Sequence, residues 1–301
     1  MTAIIRIAPD VGWLPVSFVN VFFIGRPGGS WLLVDAGLPR RAKQIFAAAE
    51  ARFGAGARPE AIILTHGHFD HAGSAAELAR RWEVPIYAHR LEEPYLTGKS
   101  SYPPPDPTIG GAMAFLSRFM PSGGTDLSGM IQPLEKQGLP AVTGWEWLAT
   151  PGHSPGHISL FRSADRVLLA GDAFATMNMD SWRGLITGHQ VLARGGAPFN
   201  CDWEATRASV KSLAALHPNV VGCGHGIPIS DPDLPARMTR FAERFRAPQR
   251  GRYVREPARA DENGVVSLPP APFDAIPFAT AGSLIVAGIA LGAGLSERKR
   301  D

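Results

Sequence analysis

Cysteine is nearly absent: Cys201 and Cys223 are the two in 301 residues. That excludes a disulfide-stapled secreted scaffold and fits a reducing, cytoplasmic compartment. Charge of one sign is lacking too. Lys and Arg number 30 against 27 Asp and Glu, a net +3. So small an excess gives no expectation of a nucleic-acid partner and leaves a small-molecule substrate as the expected one. The N-terminal "MTAIIRIAPDVGWLP" lacks a basic region followed by an apolar core and a small-residue cleavage site, so no signal peptide is read. Internal repeats are also missing. One long uncharged run does occur, "AIPFATAGSLIVAGIALGAGL" at 275–295, followed by "SERKRD". Its length would span a bilayer, but its Gly and Ala content makes insertion marginal. Two readings of it stand: membrane contact through 275–295, or a helix or loop docked on the rest of the chain.

What is present is enough apolar material, 45% of residues, for a sizeable core. "VSFVNVFFIG" (16–25) and "SWLLVDAG" (30–37) read as strands joined by the turn signal "RPGG". A helix is expected at 39–53, a buried strand at 60–65, a helix at 73–82 and a strand at 84–89. This alternation predicts an α/β fold. Strands resume at 145–151, 157–163 and 166–172, then a helix at 202–216 and a last core strand at 219–226. Two Pro-, Gly- and Ser-rich inserts, about 90–140 and 173–200, break the rhythm and are candidates for lids or substrate loops. Beyond about residue 230 the chain is rich in proline and arginine and shows no strand signal. Residues 1–230 are therefore read as the catalytic domain and 231–301 as an extension.

Polar clusters stand where the predicted strands stop. "AIILT" runs into His66, His68, Asp70 and His71; "WEWLATP" into His153; "RVLLAG" into Asp172; "NVVGCG" into His225. Ligands collect at strand ends in layered α/β folds, so agreement among four strand ends says more than any one cluster. His66 and His68, two apart on extended chain, point to one side and can grip one ion. Asp70 and His71 fall at the turn into the next helix and can grip a second. His153 would complete the first trio and His225 the second, and Asp172, with two oxygens, can bridge. Imidazole and carboxylate without thiolate suit two divalent ions, zinc first, with iron or manganese compatible. Such a pair holds a water between its members and lowers the water's pKa towards neutrality. Asp70 and Asp172 are the catalytic candidates.

"THGHFDHAG", then "PGHSPGH", "AGDA" and "GHG" in this order, resemble the metallo-β-lactamase fold superfamily over about residues 15–230. The resemblance implies a four-layer αβ/βα sandwich, two mixed sheets flanked by helices, with the metal site at one edge. It implies the same ligand sets, and it gives Asp35 in "VDAG" a supporting role behind the site. Class B1 β-lactamases of the superfamily carry a cysteine where this chain has Asp172. Asp172 is instead like hydrolases of lactones, thioesters and phosphodiesters. The expected activity is therefore cleavage of a lactone, ester or thioester. Glyoxalase II-like thioesterase and single-iron persulfide dioxygenase chemistry are the alternatives.

Apolar residues of the motif and inserts suggest a pocket for an acyl chain or aromatic group. Phe69, Phe174, Met177, Trp182 and His189 are its candidate residues, with Phe115, Phe119, Met179 and Phe199 beside them. His157 is expected to support the loop that carries His153.

Overall fold

The computed structural model describes residues 4–121, 123–134 and 138–274; the 275–295 segment lies outside them. Seven strands form the first sheet in chain order: β1 (Ile5–Ala8), β2 (Val11–Val16), β3 (Val19–Gly25), β4 (Trp31–Val34), β5 (Ala61–Ile63), β6 (Ile86–Ala88) and β7 (Ile131–Pro133). Pairing is antiparallel from β1 to β4 and parallel from β4 to β7. Parallel neighbours need crossovers. Helix α1 (Ala42–Phe53) supplies the first, and the single turn α2 (Phe69–Ala72) with α3 (Ala75–Trp82) supplies the second. The third crossover carries α4 (Glu93–Leu96) and α5 (Ala112–Leu116) inside the first insert.

The second sheet starts with β8 (Trp145–Ala149), β9 (Ile158–Arg162) and β10 (Val167–Leu169). The chain then makes a hairpin of β11 (Ala175–Met177) and β12 (Gln190–Ala193) around α6 (Trp182–Thr187). After α7 (Trp203–Ala214) it returns as β13 (Val220–Gly222), parallel to β10, and β14 (Ile229–Ser230). Helix α8 (Leu234–Arg244) and a hairpin, β15 (Arg259–Asp261) with β16 (Gly264–Ser267), follow.

Strand alternation assigns the layers. Phe22, Ile24, Leu32, Val34 and Ile63 of the first sheet meet Leu160, Val167, Leu169 and Val220 of the second. Their neighbours Val21, Phe23, Leu33 and Ile62 face the other way, onto α1 and α3. Leu168 and Val221 likewise face α7 and α8. The result is helices, sheet, sheet, helices, an αβ/βα sandwich whose central strands are buried on both faces.

Two details depart from the sequence reading. The run 16–25 is broken at Ser17, whose φ of 65° turns the chain sharply between β2 and β3. Phe18 is thereby placed at a loop tip. And the compact unit extends from Met1 to Pro269, so 231–269 is not a separate extension. Leu234, Met238, Ala242 and Phe245 bury one stripe of α8 against the second core, and Tyr253 Oη donates to the Pro104 carbonyl at 2.8 Å. Among the described residues no helix is long and apolar enough to cross a membrane.

Candidate metal centre

Every predicted ligand lies just beyond a strand of one sheet or the other, and the two sheets bring them into one buried cluster. Three trios have ligand atoms within 4.8 Å of one another: His66, His68 and His153; Asp70, His71 and His225; and His66, His71 and Asp172. Asp172 stands between the first two. Its Oδ2 is 3.5 Å from His153 Nε2 and 3.2 Å from His225 Nε2, and its Oδ1 is 3.6 Å from His71 Nε2.

Hydrogen bonds at the back of each ring fix which nitrogen faces the cluster. His71 Nδ1–H donates to Asp35 Oδ2 at 2.8 Å, His153 Nδ1–H to Asn200 Oδ1 at 2.9 Å and His225 Nδ1–H to the Phe18 carbonyl at 2.8 Å. Thr65 Oγ1 donates to Asp35 and accepts from His66 Nδ1–H at 3.0 Å. In all four rings the Nε2 lone pair is aimed inward, and those of His66 and His71 have no partner. His68 is turned the other way, with Nδ1 3.0 Å from His153 Nε2. Asp35 thus bonds both Thr65 and His71, and it does so with φ of 60°, a conformation that Asp tolerates better than most residues.

His157 carries no ligand-like lone pair. Its Nδ1–H donates to the Thr150 carbonyl, and its Nε2 accepts the Asp172 backbone N–H at 2.8 Å. Burial, with His153 next in weight, pushes it down to about 3, so it is a neutral post under Asp172. It braces Asp172 as well as the loop of His153.

The electrostatics suit cations. Burial and neighbouring histidines hold His66 and His68 well below the usual imidazole range. Burial opposes charge on His71 as well, but the carboxylates of Asp172, Asp35 and Asp70 outweigh it and raise this ring. Burial likewise opposes ionisation of Asp172, yet His225 and His71 hold it well below the carboxylate range. His66 Nε2, His71 Nε2 and Asp172 Oδ1 are buried without any hydrogen-bond partner. Orphans of this kind cost about 1–3 kcal/mol each unless something satisfies them. Two divalent cations among these atoms would satisfy all three, so the donor set fits such ions. Backbone also comes close here: a Cβ on Gly224 would lie 2.1 Å from Asp172 Oδ1 and 2.5 Å from His71 Cε1. Burial raises the Cys223 thiol, which keeps it protonated and out of ligation.

The cavity over the cluster is lined by Phe18, Phe69, Phe199, Met113, Met120 and Met179, with a free volume of about 20 Å³, roughly one water. Of the predicted pocket residues, Phe69, Met179 and Phe199 line it. The others require correction. Phe174 is fully buried in the second core, 5.8 Å from the ring of Phe241. The chain turns at 170–173, where Ala173 N bonds the Ala170 carbonyl, and Phe174 enters the second core beyond that turn. Trp182 is exposed and packs on Phe115, away from the cavity. His189 is exposed beside a separate hollow with Ser181, Arg183 and Thr187. Met177 packs behind Met113 and Met179.

Sequence reasoning missed several contributors. Phe18 stacks on His225 at 6.0 Å. Asn20 donates to the Cys223 and Gly226 carbonyls and so pins the loop of His225 to β3. Asn200 orients His153. None of these has a local signal; only the turn tendency of "SF" before a second strand could have exposed Phe18.

A sandwich of this layering, with His and Asp donors gathered at one edge of both sheets, defines a metal-dependent hydrolase class. Residues 14–225 match the family model of the metallo-beta-lactamase superfamily, and the chain belongs to that superfamily. It is 43% identical over 242 residues to the "Probable metallo-hydrolase YflN" of Bacillus subtilis, covering 79% of this chain and 92% of the relative. A more distant relative, the hydroxyacylglutathione hydrolase GloC of Haemophilus influenzae, is 29% identical over 167 residues, 55% of this chain and 68% of that protein. Among solved structures, a B3 metallo-β-lactamase with an active-site glutamic acid superposes with TM-score 0.55 at 19% identity, over 81% of this chain and 89% of that one, a likeness of fold.

Proposed function

We propose that this chain is a binuclear metal-dependent hydrolase of a lactone, ester or thioester with an apolar acyl or aromatic group. The observation that carries the reading is the position of Asp172 between two trios whose ligand atoms converge. In this reading His66, His68 and His153 hold one ion, Asp70, His71 and His225 hold the other, and Asp172 serves both. The ions are zinc in the first instance, and iron or manganese would be accepted by the same donors. When bound, they would polarise the substrate carbonyl and make water acidic enough to attack near neutral pH.

The chain's own residues do the rest. Phe69, Phe199 and the methionines exclude bulk water and give the apolar group an apolar wall to lie against. Water adds to the acyl carbon, the C–O or C–S bond breaks, and an alcohol or thiol leaves. Asp70 is the more exposed of the two cavity carboxylates and is the group placed to take the proton released from water. Asp172 and His71 keep the second trio in register through the step. Within this class, the similarity to GloC favours a thioester as the second choice after a lactone. No nucleic-acid partner is proposed.

The test is metal content of the purified chain together with a panel of acyl lactones, esters and thioesters, with and without chelator. Two divalent ions per chain and chelator-sensitive turnover on one class are expected. Metal without turnover on any of them would refute the substrate assignment. One iron with oxygen uptake would replace hydrolysis by oxidation.

A further inference from the structure

The first insert begins with a buried carboxylate that the proposed reaction does not use. Glu92 lies in the turn after β6 and is fully buried. All four of its partners are donors. Oε2 accepts the Gly67 N–H at 2.9 Å and the Tyr102 hydroxyl; Oε1 accepts the Ser154 hydroxyl at 2.7 Å and the Gly156 N–H at 2.8 Å. Gly67 sits between His66 and His68. Ser154 and Gly156 sit between His153 and His157. One carboxylate therefore ties together the two loops that supply all three histidines of the first trio, and it touches none of those histidines.

Tyr102 extends the grip. Its hydroxyl also accepts the Gly67 N–H at 2.9 Å, its ring lies edge-on to His68 at 4.4 Å, and Tyr95 stacks behind it at 4.2 Å. The two glycines are the places where the clasp closes. A Cβ on Gly67 would stand 2.5 Å from Tyr102 Oη, and one on Gly156 would stand 2.9 Å from Glu92 Oε1. Burial pushes the Glu92 carboxyl up, and the hydroxyl and amide donors around it offset only part of that rise.

Asp35 reaches the second trio directly, through His71. We infer that Glu92, seated on Tyr102, is the matching positioning group for the first trio: it fixes the His66–His68 loop against the His153–His157 loop, so the affinity of one metal site depends on it and that of the other does not. This rests on the two-ion reading above. It also gives the head of the insert a role different from that of Met113 and Met120 further along, which line the cavity.

The experiment is a zinc competition against a chelator, followed by a cobalt titration read in the visible d–d bands, on the full chain. Wild type, Glu92→Gln, Tyr102→Phe and a reference variant, His68→Ala, are compared. The reference identifies which binding step belongs to the three-histidine site. Glu92→Gln is expected to weaken that step 10- to 100-fold, change its cobalt bands and leave the other step within about threefold. Tyr102→Phe keeps the ring against His68 and removes one donor, so it is expected to weaken the same step by less, about tenfold or below. It serves as the test should Glu92→Gln fail to fold. Both steps weakening equally, as a merely structural residue would cause, overturns the inference, and so does an unchanged three-histidine step. A wild-type chain that takes up no second ion overturns instead the two-ion reading beneath it.

Discussion

Asp35→Asn separates a charge effect from a packing effect at this site. Asp35 is buried and accepts from Thr65 N at 2.8 Å through Oδ1 and from His71 Nδ1–H at 2.8 Å through Oδ2. Asparagine has the same shape and also tolerates the positive φ. With its oxygen at the Oδ1 position it still accepts from Thr65, so the relay through Thr65 to His66 survives. Its NH2 then faces His71 Nδ1–H, donor against donor. His71 relieves the conflict by moving its proton to Nε2, the atom that faces Asp172 and Asp70. A charge-assisted bond in a buried place contributes about 1.5–3 kcal/mol, and its loss should weaken the His71 site by a factor of roughly ten to a hundred. The other site should hold its affinity within about threefold. Stepwise metal removal by a graded chelator, with metal analysis after each step, reads both sites on one sample. A uniform loss at both sites, or none at the His71 site, would show that Asp35 does not set the tautomer.

Four further outcomes are expected. Phe174→Ala should cost about 3–5 kcal/mol of stability in denaturant titration and leave the order of preferred substrates unchanged; a changed order would put Phe174 in the pocket after all. Met113→Ala and Met120→Ala open the wall of the cavity and should raise kcat/KM for a longer acyl chain relative to a shorter one by roughly tenfold per added methylene accommodated, and a flat chain-length series would argue against an acyl pocket here. Tyr253 is pushed up to about 12 by burial, so it stays neutral in the fold above the pH where the unfolded chain ionises. The stability this gives is complete below about pH 10 and is lost as pH rises towards 12, and Tyr253→Phe should flatten that limb of an alkaline unfolding curve. Removing residues 270–301, beyond the compact unit that ends at Pro269, should leave metal content intact, checked by metal analysis of the truncated chain.

The cluster of candidate ligands was legible because so few residue types hold a metal and because strand ends gather them; the central strands were legible because they are buried on both faces and read as continuous apolar runs. The supports were not legible, for a physical reason. Asn20, Asn200 and Glu92 act through single hydrogen bonds to backbone or ring atoms, which many polar residues could make, and their partners are far off in sequence: Asn20 and Cys223 are 203 positions apart. Phe174 was misplaced because an apolar residue of an insert was taken to face the pocket, whereas it is fully buried in the second core. Helix α8 could have been found. Leu234, Met238, Ala242 and Phe245 recur at helical spacing, and the arginines between them masked a stripe that faces the core.

The crowding of "THGHFDHAG" is resolved by what stands behind it. Four ligands within six positions can serve two ions only if the two halves of the motif are held apart and aimed separately. Asp35 takes the C-terminal half through His71, in a buried bond that the strand end at β4 presents to it. The N-terminal half is reached from Asp35 only at His66, through Thr65 Oγ1, and Gly67 supplies a second handle: its N–H donates to Glu92 and Tyr102, and its missing side chain lets Tyr102 and Leu96 approach. An alanine at position 67 would keep every ligand in sequence and still lose that approach. It should therefore weaken the three-histidine site while sparing the other, the same pattern as Glu92→Gln reached from the opposite side of the contact. Agreement between the two in one metal titration would make the spacing of the motif a consequence of its bracing as much as of its ligands.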